Sequence, residues 1–186
     1  AAELESFMRY HGADRSAFEI IVAAGANSAF AHHLSSQKKL QKDDIVLIDV
    51  GADYGGYKSD LTRVFFLGRI NVLARKVYGI VREAQEVAIK KIRPGCLISE
   101  IDKTCRGYIA KQGFGPNFSH NLGHGVGLEV HEAPQISGRE DIPLEPGDVF
   151  TVEPAAYIQG NFGIRIEDIV LVTKKGCEVL SGALNK

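Results

Sequence analysis

Ten residues of this chain recur in outline, and that repeat restricts the possible folds more than any other feature. Leu40-Gln41-Lys42-Asp43-Asp44-Ile45-Val46-Leu47-Ile48-Asp49 aligns without gaps over Leu144-Glu145-Pro146-Gly147-Asp148-Val149-Phe150-Thr151-Val152-Glu153, at a constant offset of 104 residues. Leu falls on Leu, Asp44 on Asp148 and Asp49 on Glu153. Each copy is an apolar, β-rich run that ends in a carboxylate and leads into a turn signal. After the first copy come Tyr54-Gly55-Gly56-Tyr57, which tolerate positive φ, and after the second Gln159-Gly160-Asn161. Two hairpins of like polarity and like acid placement predict internal pseudo-symmetry.

Pairing within each hairpin decides where its acids point. The return arm of the first is Asp60-Leu61-Thr62-Arg63-Val64-Phe65-Phe66-Leu67, closed by Gly68. A turn centred on Tyr54/Gly55 sets Asp49 directly opposite Asp60, whereas one on Gly55/Gly56 sets Asp60 opposite Gly51 and diagonal to Asp49. Side chains alternate with period two, so both registers put the carboxylates on one face. Asp53 shares that face by parity but lies in the turn. In the second hairpin a turn centred on Gly160 sets Glu167 opposite Glu153, again on a common face. Like charges that close repel unless a cation or a shared proton lies between them.

The remaining elements follow from periodicity. Leu4, Phe7 and Met8 form a helical stripe that stops before Gly12, and Phe18 to Ala23 reads as a short strand leading through Gly25-Ala26-Asn27-Ser28 to His32 and His33. Apolar positions at spacings of three and four predict a helix from Val72 to Ile92, ended by Pro94-Gly95. A second helix runs from about Ser99 to Gln112 and stops at Gly113. Beyond it, Ser119 to Glu132 carries His120, His124 and His131 at spacings of four and seven among glycines that argue against a helix. Ile169 to Thr173 closes the chain as a strand. The sum is an α+β domain of two helix-plus-hairpin halves around a curved antiparallel sheet.

Composition bounds the function. With 186 residues, 45% of them hydrophobic, the chain suits one well-cored domain, residues 1–186. Its 22 basic and 23 acidic residues argue against a binder of nucleic acid or of membrane surfaces. Cys96, Cys105 and Cys177 lack any Cys-x-x-Cys spacing, which fits reduced thiols in a cytoplasmic protein. The first residues lack an initiator methionine and already look helical, so the chain reads as an N-terminally truncated fragment.

Singly, each candidate has an ordinary explanation. An aspartate pair on a hairpin commonly stabilises a turn, a histidine commonly satisfies a backbone group, and Glu153, Glu167, Arg63 and Arg165 would pass as surface residues or ion-pair partners. His11 and His33 are left in that class, and Glu132 and Asp168 as structural acids. Jointly, four carboxylates at repeat-equivalent positions beside His124 make an oxygen-rich site with one nitrogen. Such a set suits two divalent first-row ions better than a structural zinc. Two ions close together can polarise a carbonyl and deprotonate a water, which is amide or ester hydrolysis.

These residues resemble the pita-bread metallopeptidases, and within them the Xaa-Pro aminopeptidase and prolidase branch. The resemblance rests on Leu47 to Ala52, Gly56 to Arg63, His120 to Glu132, Thr151-Val152-Glu153-Pro154 and Gly163 to Asp168. It implies that Asp49 binds one metal, that Asp60 and Glu167 bridge both, and that His124 with Glu153 completes the second. It also implies Glu153 as general base and His131 as a donor to the oxyanion. His32 would contact substrate near the leaving amine, and His120 would line the proline-side pocket. Arg165 would orient Glu167 through a charge-assisted bond, with Thr62 supporting the ligands. The implied cofactors are two divalent ions, manganese first, with cobalt, zinc or iron as alternatives. The implied substrate is a short peptide with proline second, and the implied assembly a homodimer of the full-length protein.

His120 four residues before His124, and Asp168 directly after Glu167, resemble the proline-specific branch rather than methionine aminopeptidases. Retention of all the ligands argues against a peptide-binding module that has lost catalysis. Asp43 stands where the family often has glycine. Members of the branch normally carry a separate N-terminal domain, and nothing in this chain corresponds to it. Arg139 is a weak candidate for gripping a dipeptide's terminal carboxylate.

Overall fold

Both copies of the repeat fold alike, down to their entry turns. The computed structural model describes residues 1–186. In it Asp44 Oδ2 accepts from Gln41 N at 2.8 Å, and Asp148 Oδ2 accepts from Glu145 N at 2.8 Å. Asp43 has φ 68° and its counterpart Gly147 φ 105°, so this turn requires the left-handed region in both halves. At Asp43 that geometry costs about 1 kcal/mol relative to glycine, and its carboxylate offsets part of the cost by accepting from Arg69 N at 2.7 Å.

The chain opens with α1 (Ala2–Tyr10), β1 (Arg15–Ser16) and β2 (Ile21–Ala24), followed by a 3-10 turn over Gly25–Ala29. The first hairpin is β3 (Ile45–Val50), β4 (Ala52–Tyr54), β5 (Tyr57–Lys58) and β6 (Leu61–Phe66). Two helices follow, α2 (Val72–Ile89) and α3 (Ile98–Lys111). Next come β7 (Gly123–Gly125) and β8 (Glu132–Ile136), then the second hairpin of β9 (Val149–Val152), β10 (Ala155–Ile158), β11 (Phe162–Arg165) and β12 (Asp168–Val172), and finally β13 (Cys177–Val179). All strand pairs are antiparallel, in sheets ordered β2-β3-β6, β1-β4-β5, β10-β11 and β13-β12-β9-β7-β8.

The observed register settles the first turn. Asp49 pairs with Thr62 and Tyr54 with Tyr57, so the turn is on Gly55/Gly56, and the same register carried across the break sets Asp60 opposite Gly51, diagonal to Asp49. The hairpin is not continuous. It changes sheets at Gly51, where a Cβ would fall 2.0 Å from Ser59 O, so the arms cross too closely there for any other residue. In the second hairpin Ala155 pairs with Arg165 and Asp168 with Val152, which carries Glu153 opposite Glu167 as expected.

The strand expected to close the chain at Ile169–Thr173 is β12, Asp168–Val172, and β13 follows it; three earlier boundaries also differ from the periodic reading. β2 begins at Ile21, leaving Phe18 to line a cleft. Helix α2 ends at Ile89 because its last turn tightens, with Lys91 N bonding Ala88 O and Ile92 N bonding Ile89 O at 3.0 Å, although Ile92 stays buried. Helix α3 begins one residue early at Ile98. Asn71 caps α2 by accepting from Leu73 N at 2.8 Å.

Both helices cover the sheets on one side. Ile80, Ala84 and Ala88 of α2 join Ile101, Cys105 and Ile109 of α3 over Phe150, Val152 and Val170. Ala74, Val77 and Val81, also from α2, pack on Leu47, Val64, Ile164 and Ile166. A helix buried against both halves fixes their relative position, and the acids of both hairpins point to the face opposite the helices.

Candidate metal centre and substrate cleft

Strand alternation delivers the acids. Asp49 on β3, Asp60 just before β6, and Glu153 and Glu167 at the break between β9–β12 and β10–β11 project into one cleft. Asp49, Asp60 and Glu167 are buried, and the Glu153 side chain is 15% exposed. His124 joins them from β7. Its position depends on the glycines that flank it: a Cβ on Gly123 would lie 1.9 Å from Thr151 O, and one on Gly125 2.2 Å from Ala133 O. The strands on either side therefore close over β7, and His124 alone of the three residues carries a side chain into the cleft.

The geometry of His124 is that of a ligand in waiting. Its Nδ1 faces Gly125 O at 3.0 Å, which makes that nitrogen the donor and leaves the Nε2 lone pair free. Nε2 lies 3.4 Å from Glu153 Oε1 and 3.7 Å from Asp60 Oδ2. One ligand atom each from Asp60, His124 and Glu167 fits within a 4.8 Å span. Burial lowers the His124 pKa, favouring the neutral imidazole that a metal requires.

The carboxylates need a cation. Burial, then the Asp49 and Glu153 charges, push Asp60 up to about 9, and burial pushes Glu153 up to about 7 against the pull of Arg165. Glu167 is likewise raised, by burial first and by Asp60 second. Asp49 Oδ1 is buried without a hydrogen-bond partner. Buried acids at this density, with an orphaned oxygen and an imidazole lone pair among them, fit hard or borderline divalent ions.

Arg165 supplies the resident positive charge, but its direct partner is not Glu167. Its Nη2 bonds Asp49 Oδ2 at 2.6 Å and its Nε bonds Thr62 Oγ1 at 3.0 Å. Thr62 in turn donates to Glu167 Oε2 at 2.6 Å, so Arg165 reaches Glu167 only through that hydroxyl. The expected direct bond from Arg165 to Glu167 is thus replaced by one to Asp49, because the broken hairpin brings β3 against β11.

Arg165 Nη1 also donates to the Tyr157 hydroxyl at 2.7 Å, and that hydroxyl lies 3.1 Å from His120 Nε2. Tyr157 was not singled out from sequence, since an aromatic residue in an apolar strand reads as core. It nonetheless shares the parity of Glu153, and from the core its hydroxyl reaches Arg165 and His120, which line the cleft. Burial lowers the His120 pKa to about 4, so its ring is neutral, with Nδ1 donating to Asn121 O at 2.7 Å and Nε2 accepting from Tyr157.

The cleft has a volume of about 1170 Å³. His32, His120 and His131 all line it, as does His33, which sequence left aside. The His131 ring centroid is 4.2 Å from that of His124. Arg139 is exposed in the turn after β8 and does not line the cleft. Asp53 is buried away from it, paired with Lys58 Nζ at 2.7 Å and Arg15 Nε at 3.0 Å.

Comparison with known proteins bears on the family and the fold. The model of metallopeptidase family M24 matches residues 1–174. The Xaa-Pro dipeptidase of Pyrococcus horikoshii is 44% identical over 181 residues, 97% of this chain and 52% of that protein. Among solved structures, the X-Pro aminopeptidase from Thermotoga maritima superposes with a TM-score of 0.95 at 46% identity, over 97% of this chain and 51% of that one. For the Xaa-Pro dipeptidase from Bacillus anthracis the TM-score is 0.97 at 45% identity, over 100% of this chain and 52% of that one. The chain spans about half the length of the curated relatives it matches.

Proposed function

The chain belongs to metallopeptidase family M24 and has the α+β pita-bread fold of its solved relatives, and on that premise we propose that it is the catalytic domain of a two-metal exopeptidase cleaving between an N-terminal residue and a following proline. The observation that carries the reading is the convergence of Asp60, His124 and Glu167 within 4.8 Å, with Glu153 3.4 Å from the same imidazole nitrogen. In this reading Asp49, Asp60, His124, Glu153 and Glu167 would together hold the divalent ions. Manganese is the metal we assign, with cobalt, zinc and iron to be compared in a metal series. Similarity to an Xaa-Pro dipeptidase and an X-Pro aminopeptidase supports the proline preference.

Bound divalent ions would supply Lewis acidity, polarising the scissile carbonyl and acidifying a water. The chain's own residues do the rest. Glu153 takes the proton of the attacking water and passes it to the proline nitrogen as that nitrogen leaves. His131 hydrogen-bonds the carbonyl oxygen as negative charge develops on it. His120, held neutral and oriented by Tyr157, lines the pocket for the proline ring, and His32 contacts substrate near the leaving amine. Arg165 and Thr62 keep the oxygens of Asp49 and Glu167 turned toward the centre.

A homodimer of the full-length protein and a cytoplasmic location complete the reading. No helix is long and apolar enough to cross a membrane. The test is a substrate series with the full-length, manganese-supplemented protein. Release of the first residue from Xaa-Pro dipeptides or longer Xaa-Pro peptides, with Met-Ala peptides untouched, is the expected result. Release from Met-Ala alone would move the reading to a methionine aminopeptidase, and binding without cleavage to a peptide-binding module.

A further inference from the structure

Behind the metal centre, on the face away from the cleft, lies a second polar cluster that none of the chemistry above uses. Its node is Arg63, 7% exposed. All five guanidinium N–H groups are engaged. Nη1 donates to Thr62 O at 3.0 Å and Glu167 O at 2.6 Å. Nη2 donates to Asp168 Oδ1 at 2.7 Å and Leu184 O at 3.0 Å, and Nε to Asn185 O at 3.2 Å.

The segment Ser181–Lys186 supplies more than those two carbonyls. Ser181 Oγ donates to Asp168 Oδ1 at 2.6 Å and accepts from Ile169 N at 3.2 Å. Lys186 Nζ lies 2.9 Å from Asp168 Oδ2 and donates to Gln85 Oε1 at 2.6 Å. Gln85, fully buried on α2, extends the grip by donating to Val152 O at 2.9 Å and Ile166 O at 3.2 Å. The backbone atoms held this way belong to Thr62, Val152, Ile166 and Glu167. These are the residues that carry, or directly precede, Thr62, Glu153 and Glu167 on the cleft side.

We propose that Ser181–Lys186 is a positioning strap, acting through Arg63, Asp168 and Gln85, that sets the separation of the Glu153 and Glu167 carboxylates for metal. The inference rests on the metal reading above and adds the device that holds the ligands in place. Strand alternation makes it possible: Thr62 and Glu167 face the cleft, while their neighbours Arg63 and Asp168 face the strap. A ligand pair set by backbone hydrogen bonds on the far side is pre-organised before metal arrives, so loosening the strap weakens binding without removing any ligand.

The test compares the full-length wild type with the double variant Ser181→Ala/Lys186→Met and with Arg63→Met and Arg63→Lys. Manganese titration calorimetry is run beside circular dichroism and urea unfolding. Wild type is expected to take up two ions. The folded double variant is expected to bind them about tenfold more weakly and to lose kcat with little change in KM. Arg63→Lys should fail to restore affinity, because an ammonium cannot span five acceptors. If Arg63→Met does not fold, the double variant decides alone. Metal affinity and kcat within twofold of wild type in a folded double variant, whatever its urea midpoint, would overturn the strap. Absence of manganese uptake by the wild type would instead overturn the metal reading, and the strap with it.

Discussion

The Tyr157 hydroxyl stands between Arg165 and His120, accepting from Nη1 of the first at 2.7 Å and donating to Nε2 of the second at 3.1 Å. One hydroxyl therefore couples the charged residue that holds Asp49 to the histidine that lines the cleft. Tyr157→Phe keeps the ring and its packing but leaves His120 Nε2 without its donor and takes one acceptor from Arg165 Nη1, which retains Ala31 O at 3.2 Å; the lost bonds cost about 1–3 kcal/mol. We expect kcat/KM for an Xaa-Pro peptide to fall about ten- to hundredfold, with manganese stoichiometry unchanged. Loss of metal in this variant would show that Tyr157 serves the ligands rather than the substrate.

Close approach at β7 makes a sharper structural prediction. Gly125→Ala places a methyl 2.2 Å from Ala133 O, and because both atoms are held in the sheet, relief requires the strands to part. The expected destabilisation is about 3 kcal/mol, read as a lower urea midpoint, together with weakened metal binding as His124 shifts. Asn71→Ala is the control. It removes the cap of α2 far from the cleft and should cost about 1 kcal/mol while leaving metal binding intact.

Metal removal should reverse the usual effect of pH on a carboxylate-rich site. In the metal-free chain Asp60 is pushed up to about 9 and Glu153 up to about 7, whereas unfolded carboxyls titrate near about 4. Between those values the folded state binds more protons than the unfolded state, so stability is highest in mild acid and falls as pH rises toward 9. Urea midpoints measured in chelator should decrease across that range. Manganese should remove the decrease and release protons on binding, seen as buffer-dependent binding enthalpies. A midpoint that climbs with pH in chelator would mean that the acids are not crowded as described.

Much of this arrangement is legible in the residues because it obeys parity. Asp49 lies on β3 and Asp60, Glu153 and Glu167 directly beside strands whose alternation can be counted, and the repeat doubles the evidence. The parts that escape are those with no periodic signature. Arg63 reads as an ordinary surface ion-pair partner, yet two of its acceptors are backbone carbonyls at Leu184 and Asn185, 121 and 122 residues away. A carbonyl acceptor is the same for every residue type, so nothing in the sequence marks it. The pairing of Arg165 with Asp49 rather than Glu167 escapes for a related reason: it depends on how β11 of the second hairpin packs against β3 of the first, a contact between halves that neither turn announces. Tyr157 sits between these cases, visible by parity with Glu153 but masked by its apolar strand.

The proposed hydrolysis would depend on divalent ions that Asp60 helps to hold. The most direct measurement pairs metal content with turnover in Asp60→Asn and wild type, both full-length and manganese-loaded. We predict two ions and release of the first residue from an Xaa-Pro peptide for the wild type. For Asp60→Asn we predict at least one ion lost and release reduced by about three orders of magnitude, in keeping with removal of a group that acts as part of a unit. Wild-type turnover that persists in chelator, or an Asp60→Asn protein that cleaves as fast as wild type, would contradict the account.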